Sequence, residues 1–94
     1  MEIRWLRTAL RNLDEEARFI AVDDPKAAQV VVERIFNAVA ALAKSPGIGR
    51  PGRVPGTREL IVAKTRYLIP YRVRGKSVEI LRVFHTSRRT PTDW

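Results

Sequence analysis

Between Gly47 and Gly56 the chain reads Gly-Ile-Gly-Arg-Pro-Gly-Arg-Val-Pro-Gly, four glycines and two prolines in ten positions. No helix can run through such a stretch. Pro51 and Pro55 lack an amide donor and fix φ, while Gly49, Gly52 and Gly56 open turn conformations closed to other residues. The loop divides the chain into two blocks. It also delivers Arg50, Arg53, Arg58 and Glu59 to the mouth of whatever sheet follows, and loops mounted on rigid scaffolds are where binding residues concentrate.

Charge divides at the same place. From Met1 to Ala43 six Lys/Arg stand against seven Asp/Glu, a balance of −1. From Lys44 to Trp94 twelve stand against three, a balance of +9. An excess of that size suits phosphate backbones or acidic protein partners, and charge alone does not distinguish the two. At 94 residues the chain is expected to form one domain, spanning 1–94, around one small core. It has no cysteine and one histidine, which excludes disulfides and thiolate metal sites; no metal and no cofactor is expected. The longest apolar run, Ala38 to Ala43, is too short to cross a bilayer, so no membrane partner and a cytoplasmic location are expected.

Glu2 to Leu6 alternates polar and apolar residues and reads as a first strand with Ile3 and Trp5 on its core face. Thr8 is the expected N-cap of a helix over about Ala9–Val22, with Leu10, Leu13, Ala17, Ile20 and Ala21 at spacings of three and four. Asp24-Pro25 restarts the helix, because Asp24 offers a capping oxygen and Pro25 suits the first helical position. The second helix runs to about Lys44, with Ala28, Val31, Ile35, Ala38, Val39 and Leu42 as its apolar stripe. So short a connection predicts an antiparallel helical hairpin.

After the loop, 57–63, 66–73 and 76–85 read as three strands joined by Lys64-Thr65 and Arg74-Gly75, an antiparallel meander. Tyr67, Ile69, Tyr71 and Val73 share a face. Pro70 removes a ladder donor and marks an irregularity or an open edge. The last strand is apolar on both faces, so it should be central. The derived order is β-α-α-β-β-β: an α+β fold in which a helical hairpin packs on a small, mostly antiparallel sheet.

These residues offer no nucleophilic triad and no phosphate-binding glycine fingerprint, because the loop glycines lead into a strand. Acid–base chemistry on RNA requires a group to take the 2′-hydroxyl proton, a cation for the phosphorane and a donor to the leaving oxygen. Glu59, Arg58 or Arg66, and His85 supply these types if strand ends bring them together. Tyr67 and Tyr71 are read as core residues first and base-stacking residues second.

The strand ending in Trp5, Asp24-Pro25-Lys26-Ala27-Ala28, Gly49-Arg50-Pro51-Gly52-Arg53, Gly56-Thr57-Arg58-Glu59-Leu60, Tyr71-Arg72-Val73 and the run from Val78 to His85 occur in this order. Together they resemble the RelE/ParE superfamily of bacterial toxins over essentially the whole chain. The resemblance implies the toxin of a type II toxin-antitoxin pair, neutralised by a cognate antitoxin, expected to be a small ribbon-helix-helix protein. Two targets occur in the superfamily. RelE-like members cut mRNA on the ribosome, which would make Glu59, Arg66 and His85 catalytic. ParE-like members instead poison DNA gyrase and need no catalytic residue. Nuclease members place a basic residue before the tyrosine of the third strand. Here that position is occupied by the apolar Leu68-Ile69-Pro70, with Arg66 further upstream, and this favours the ParE-like reading. Under it, Arg50, Arg53, Arg58, Arg82, Arg88 and Arg89 are the candidate contacts to gyrase or antitoxin.

Overall fold

The computed structural model describes residues 1–87, so Arg88 and Arg89 lie outside the described residues. Strand β1 (Glu2–Trp5) runs directly into helix α1 (Arg7–Asp23). Thr8 is not the cap. Leu6 holds the N-cap position in extended conformation with no side-chain hydrogen bond, and its N–H pairs with the Ile80 carbonyl at 3.1 Å. Sheet pairing therefore fixes where the helix begins, and Thr8 falls inside its first turn.

Helix α2 (Pro25–Ala40) begins as its sequence predicts, with the Ala27 N–H donating to Asp24 Oδ1 at 3.0 Å and Pro25 in the first turn. A 3-10 turn, Ala41–Ala43, closes it. Only Asp24 separates the helices, so α2 folds back on α1.

Strands β2 (Arg50–Pro51), β3 (Arg58–Ile61), β4 (Tyr67–Arg74), β5 (Ser77–Ile80) and β6 (Phe84–His85) complete one sheet in the order β1-β5-β4-β3-β2, with β6 paired to β4. All pairings are antiparallel except that of β1 with β5, which places Glu2 opposite Ser77 and Trp5 opposite Ile80. The α+β architecture is the one expected, with a two-residue strand added inside the glycine-rich loop. Helices cover one face. Ala9 and Leu13 of α1 and Ile35 and Val39 of α2 pack with Leu42 against Leu60, Ile69, Tyr71, Val78 and Ile80, and Ile3 and Trp5 extend this core. Trp5 meets the Phe36 ring at 5.2 Å.

Pro70 does not mark an edge: β4 is central and Pro70 is buried. The irregularity falls instead on the neighbouring strand, where residues 81–83 interrupt the expected last strand between β5 and β6. The Leu81 N–H still reaches the Pro70 carbonyl at 2.9 Å, and the Val83 N–H is taken by Asn12 Oδ1 of α1 at 3.2 Å. Two of the backbone N–H groups at the break thus find partners outside a regular ladder.

The loop after α2 is fastened to the sheet from below. The buried Tyr71 hydroxyl donates to the Pro46 carbonyl at 2.6 Å and accepts the Gly49 N–H at 2.9 Å. A Cβ on Gly49 would lie 2.6 Å from that hydroxyl oxygen and 3.0 Å from the Glu59 carbonyl, whereas one on Gly47 would meet nothing. Gly49→Ala is expected to destabilise the fold by about 1–3 kcal/mol through overpacking. Gly47→Ala should leave stability nearly unchanged. Denaturant unfolding of the two variants side by side measures the difference.

Candidate functional site

Glu59 is the acidic centre of the loop. It sits on β3 opposite Arg50 of β2, with a relative exposure of 2%. Its Oε1 accepts Arg50 Nε at 3.3 Å and Nη2 at 3.1 Å. Its Oε2 accepts the Arg53 backbone N–H at 3.0 Å and pairs with Arg53 Nε at 3.2 Å. Burial by itself would raise the carboxyl pKa. The Arg53 amide, the Arg50 hydrogen bonds and the two positive charges outweigh it and hold the pKa below the ordinary carboxylate value. The guanidinium groups keep an outer side in solvent, with side-chain exposures of 52% for Arg50 and 42% for Arg53.

Arg58 fastens the same loop through neutral partners, donating to the Gly47 and Gly49 carbonyls at 3.3 and 2.8 Å. These bonds leave its charge uncompensated. Arg82, partly buried, stands in the break between β5 and β6.

His85 and Arg66 meet elsewhere. The His85 ring packs edge-on against Tyr67 at 5.3 Å, and its Nδ1 faces Ser87 Oγ at 2.7 Å and accepts the Ser87 N–H at 3.3 Å. A backbone N–H can only donate, so the neutral ring carries its proton on Nε2. Arg66, Tyr67 and His85 line a cleft of about 320 Å³ with Phe19, Ile20 and Val31 of the helices. The Tyr67 hydroxyl donates to Glu16 at 2.9 Å.

The structure does not bring Glu59 into this cleft. Glu59 pairs with Pro70 and His85 with Tyr67, three positions apart along β4 and therefore on opposite faces of the sheet. Of the expected acid–base set, only Arg66 and His85 share a cavity.

Sequence reasoning passed over Arg72 and Glu79. They stand opposite each other on β4 and β5, and Arg72 Nε donates to Glu79 Oε1 at 2.6 Å. That hydrogen bond, against partial desolvation and with the charges of Arg72, Arg74 and Arg4, lowers the Glu79 pKa. The available signal was the hairpin glycine. Gly75 adopts φ 61°, and a two-residue turn over Gly75 and Lys76 places 72 opposite 79.

Comparison with known proteins matches residues 3–90 to the family described as ParE toxin of type II toxin-antitoxin system, parDE. The toxin candidate Y4kP of Sinorhizobium fredii (strain NBRC 101917 / NGR234) is 53% identical over 89 residues, covering 95% of this chain and 92% of that protein. Among solved structures, one from the chromosomal ParDE TA system of P. aeruginosa superposes with a TM-score of 0.82 at 32% identity, over 93% of this chain and 97% of that one.

Glu59→Gln would remove the charge and turn an amide NH2 group against the two donors that face one of the carboxylate oxygens. It is expected to cost about 2 kcal/mol at neutral pH, the scale of a hydrogen-bonded buried charge. Because the folded-state pKa of Glu59 is lowered, its contribution is complete above the unfolded value near 4.5 and is lost as pH falls through the folded value. Unfolding midpoints of the wild type and Glu59→Gln should therefore be well separated at pH 7 and converge in acid below about 4.5.

Proposed function

Because the chain belongs to the ParE toxin family of type II toxin-antitoxin systems, we propose that it acts by inhibiting DNA gyrase and is neutralised by a co-encoded ribbon-helix-helix antitoxin. The observation that carries this reading is the confinement of Glu59. Its oxygens are occupied by Arg50 and Arg53, and it lies on the face of the sheet opposite His85. General acid–base cleavage of RNA requires both groups within hydrogen-bond reach of one phosphodiester. A binding toxin needs no such convergence.

The outer sides of Arg50 and Arg53, with Arg58 and Arg82, supply positive charge around the loop and sheet for the target or the antitoxin; Arg88 and Arg89 join them in sequence beyond the described residues. An apolar groove of about 360 Å³ between α1 and α2, walled by Ala17, Ala21, Ala28 and Val32, suits a helix of the antitoxin. Among the described residues no helix is long and apolar enough to cross a membrane. A gyrase target would place the protein in the cytoplasm.

Purified toxin added to gyrase, plasmid and ATP should accumulate linear, gyrase-linked DNA, while the same preparation leaves mRNA intact on translating ribosomes. Unaltered supercoiling at saturating toxin together with cut mRNA would replace this reading with a ribonuclease built on Arg66 and His85.

A further inference from the structure

On the sheet face away from the helices, side chains alternate with those of the core. Ile3, Trp5, Tyr71, Val78 and Ile80 face the helices, so Arg4, Arg72 and Glu79 project from the other side. Register sets them in one cross-strand row: Arg4 opposite Glu79, and Glu79 opposite Arg72. Arg74 reaches the same carboxylate at 4.0 Å. One carboxylate thus faces three guanidinium groups, and Glu2 in the adjacent row still leaves this patch net positive.

Arg72 is the member with capacity to spare. Its Nε is held by Glu79 at 2.6 Å, which fixes the guanidinium group, while its Nη groups have no protein partner among the described residues. Arg72 also lines a hollow of about 520 Å³, the largest of the three cavities described, whose wall is otherwise Leu6, Val54, Pro55 and Leu81 with Gly56 and Thr57. A guanidinium group held on one edge presents its remaining edge for a carboxylate, the fork geometry that makes arginine the preferred partner of planar anions. The apolar wall beside it takes an apolar side chain.

We propose that this hollow receives an acidic polypeptide segment of the antitoxin, one carboxylate on the free Nη edge of Arg72 and a neighbouring apolar side chain against Leu6, Val54 and Leu81. This rests on the reading that the toxin is neutralised by a co-encoded antitoxin. A polynucleotide fits less well, because backbone binding recruits several cations along a track and this wall holds one. The contact lies on the sheet face away from the helices and is separate from the groove of the helical hairpin.

Calorimetric titration of the full chain with the antitoxin encoded beside it tests the assignment. Arg72→Ala should weaken binding about tenfold or more, the factor expected for a lost charge-assisted hydrogen bond. Arg72→Lys, which keeps the charge and loses the fork, should fall between. Val54→Glu puts a like charge at the rim without touching the Arg72–Glu79 pair and should weaken binding comparably, so the test survives if Arg72→Ala also loosens the fold. Wild-type affinity in both Arg72→Ala and Val54→Glu, with unchanged unfolding midpoints, overturns the inference and leaves the antitoxin reading intact. Absence of any binding by the wild-type chain overturns both. Unchanged antitoxin affinity with lost gyrase inhibition assigns the hollow to the target instead, and likewise overturns it.

Discussion

The Glu59 carboxylate, buried on β3 and shared between Arg50 and Arg53, is the interaction on which the shape of the basic loop depends. A lone carboxylate at that depth would protonate or stay in water. Three hydrogen bonds and an ion pair change the balance, and all of them come from Arg50 and Arg53, residues the loop itself supplies. Satisfying Glu59 and folding the loop are therefore one event. The Tyr71 hydroxyl completes the attachment from the core side by tying Pro46 and Gly49 to the central strand. A segment with four glycines and two prolines, which by composition should wander, is held at both its entrance and its middle.

This arrangement changes the meaning of the positive charge. The second half of the chain carries an excess of nine, yet its arginines are not interchangeable points in a field. Arg50 and Arg53 share a carboxylate, Arg58 spends hydrogen bonds on neutral carbonyls and keeps its full charge, and Arg72 is pinned on one edge by Glu79. Arginine serves here because a planar fork can bind the fold with one edge and leave another for a partner. Lysine carries its three donors on one rotating ammonium group and has no second planar edge to hold in place for a partner.

The helical hairpin was legible in the sequence because its signals are local. Asp24 and Pro25 specify the start of α2 through a side-chain oxygen and a fixed φ, and the apolar stripe from Ala28 to Leu42 specifies its buried face. Thr8 misled for the opposite reason: a good capping side chain lost to the pairing of Leu6 with Ile80, a partner 74 positions away. The sheet illustrates how sensitive register is. Setting the hairpin turn at Arg74-Gly75 instead of Gly75-Lys76 shifts every cross-strand pair by two, which separates Arg72 from Glu79. The candidate chemistry of Glu59 with His85 failed on the same kind of parity. Residues can converge in sequence order on one end of a sheet and still emerge on opposite faces.

The parallel pairing of β1 with β5 bears on how the protein comes into being. Glu2 and Ser77 are register partners in the sheet and 75 positions apart in the chain. Among the strands of this sheet β1 therefore waits longest for its neighbour, and it has no ladder to join until β5 has been made. Contacts of such long sequence separation are the slow ones to form. A nascent or shortened chain ending before Ser77 lacks the strand that joins β1 to β4, so the finished surface comes into existence only once β5 has been made.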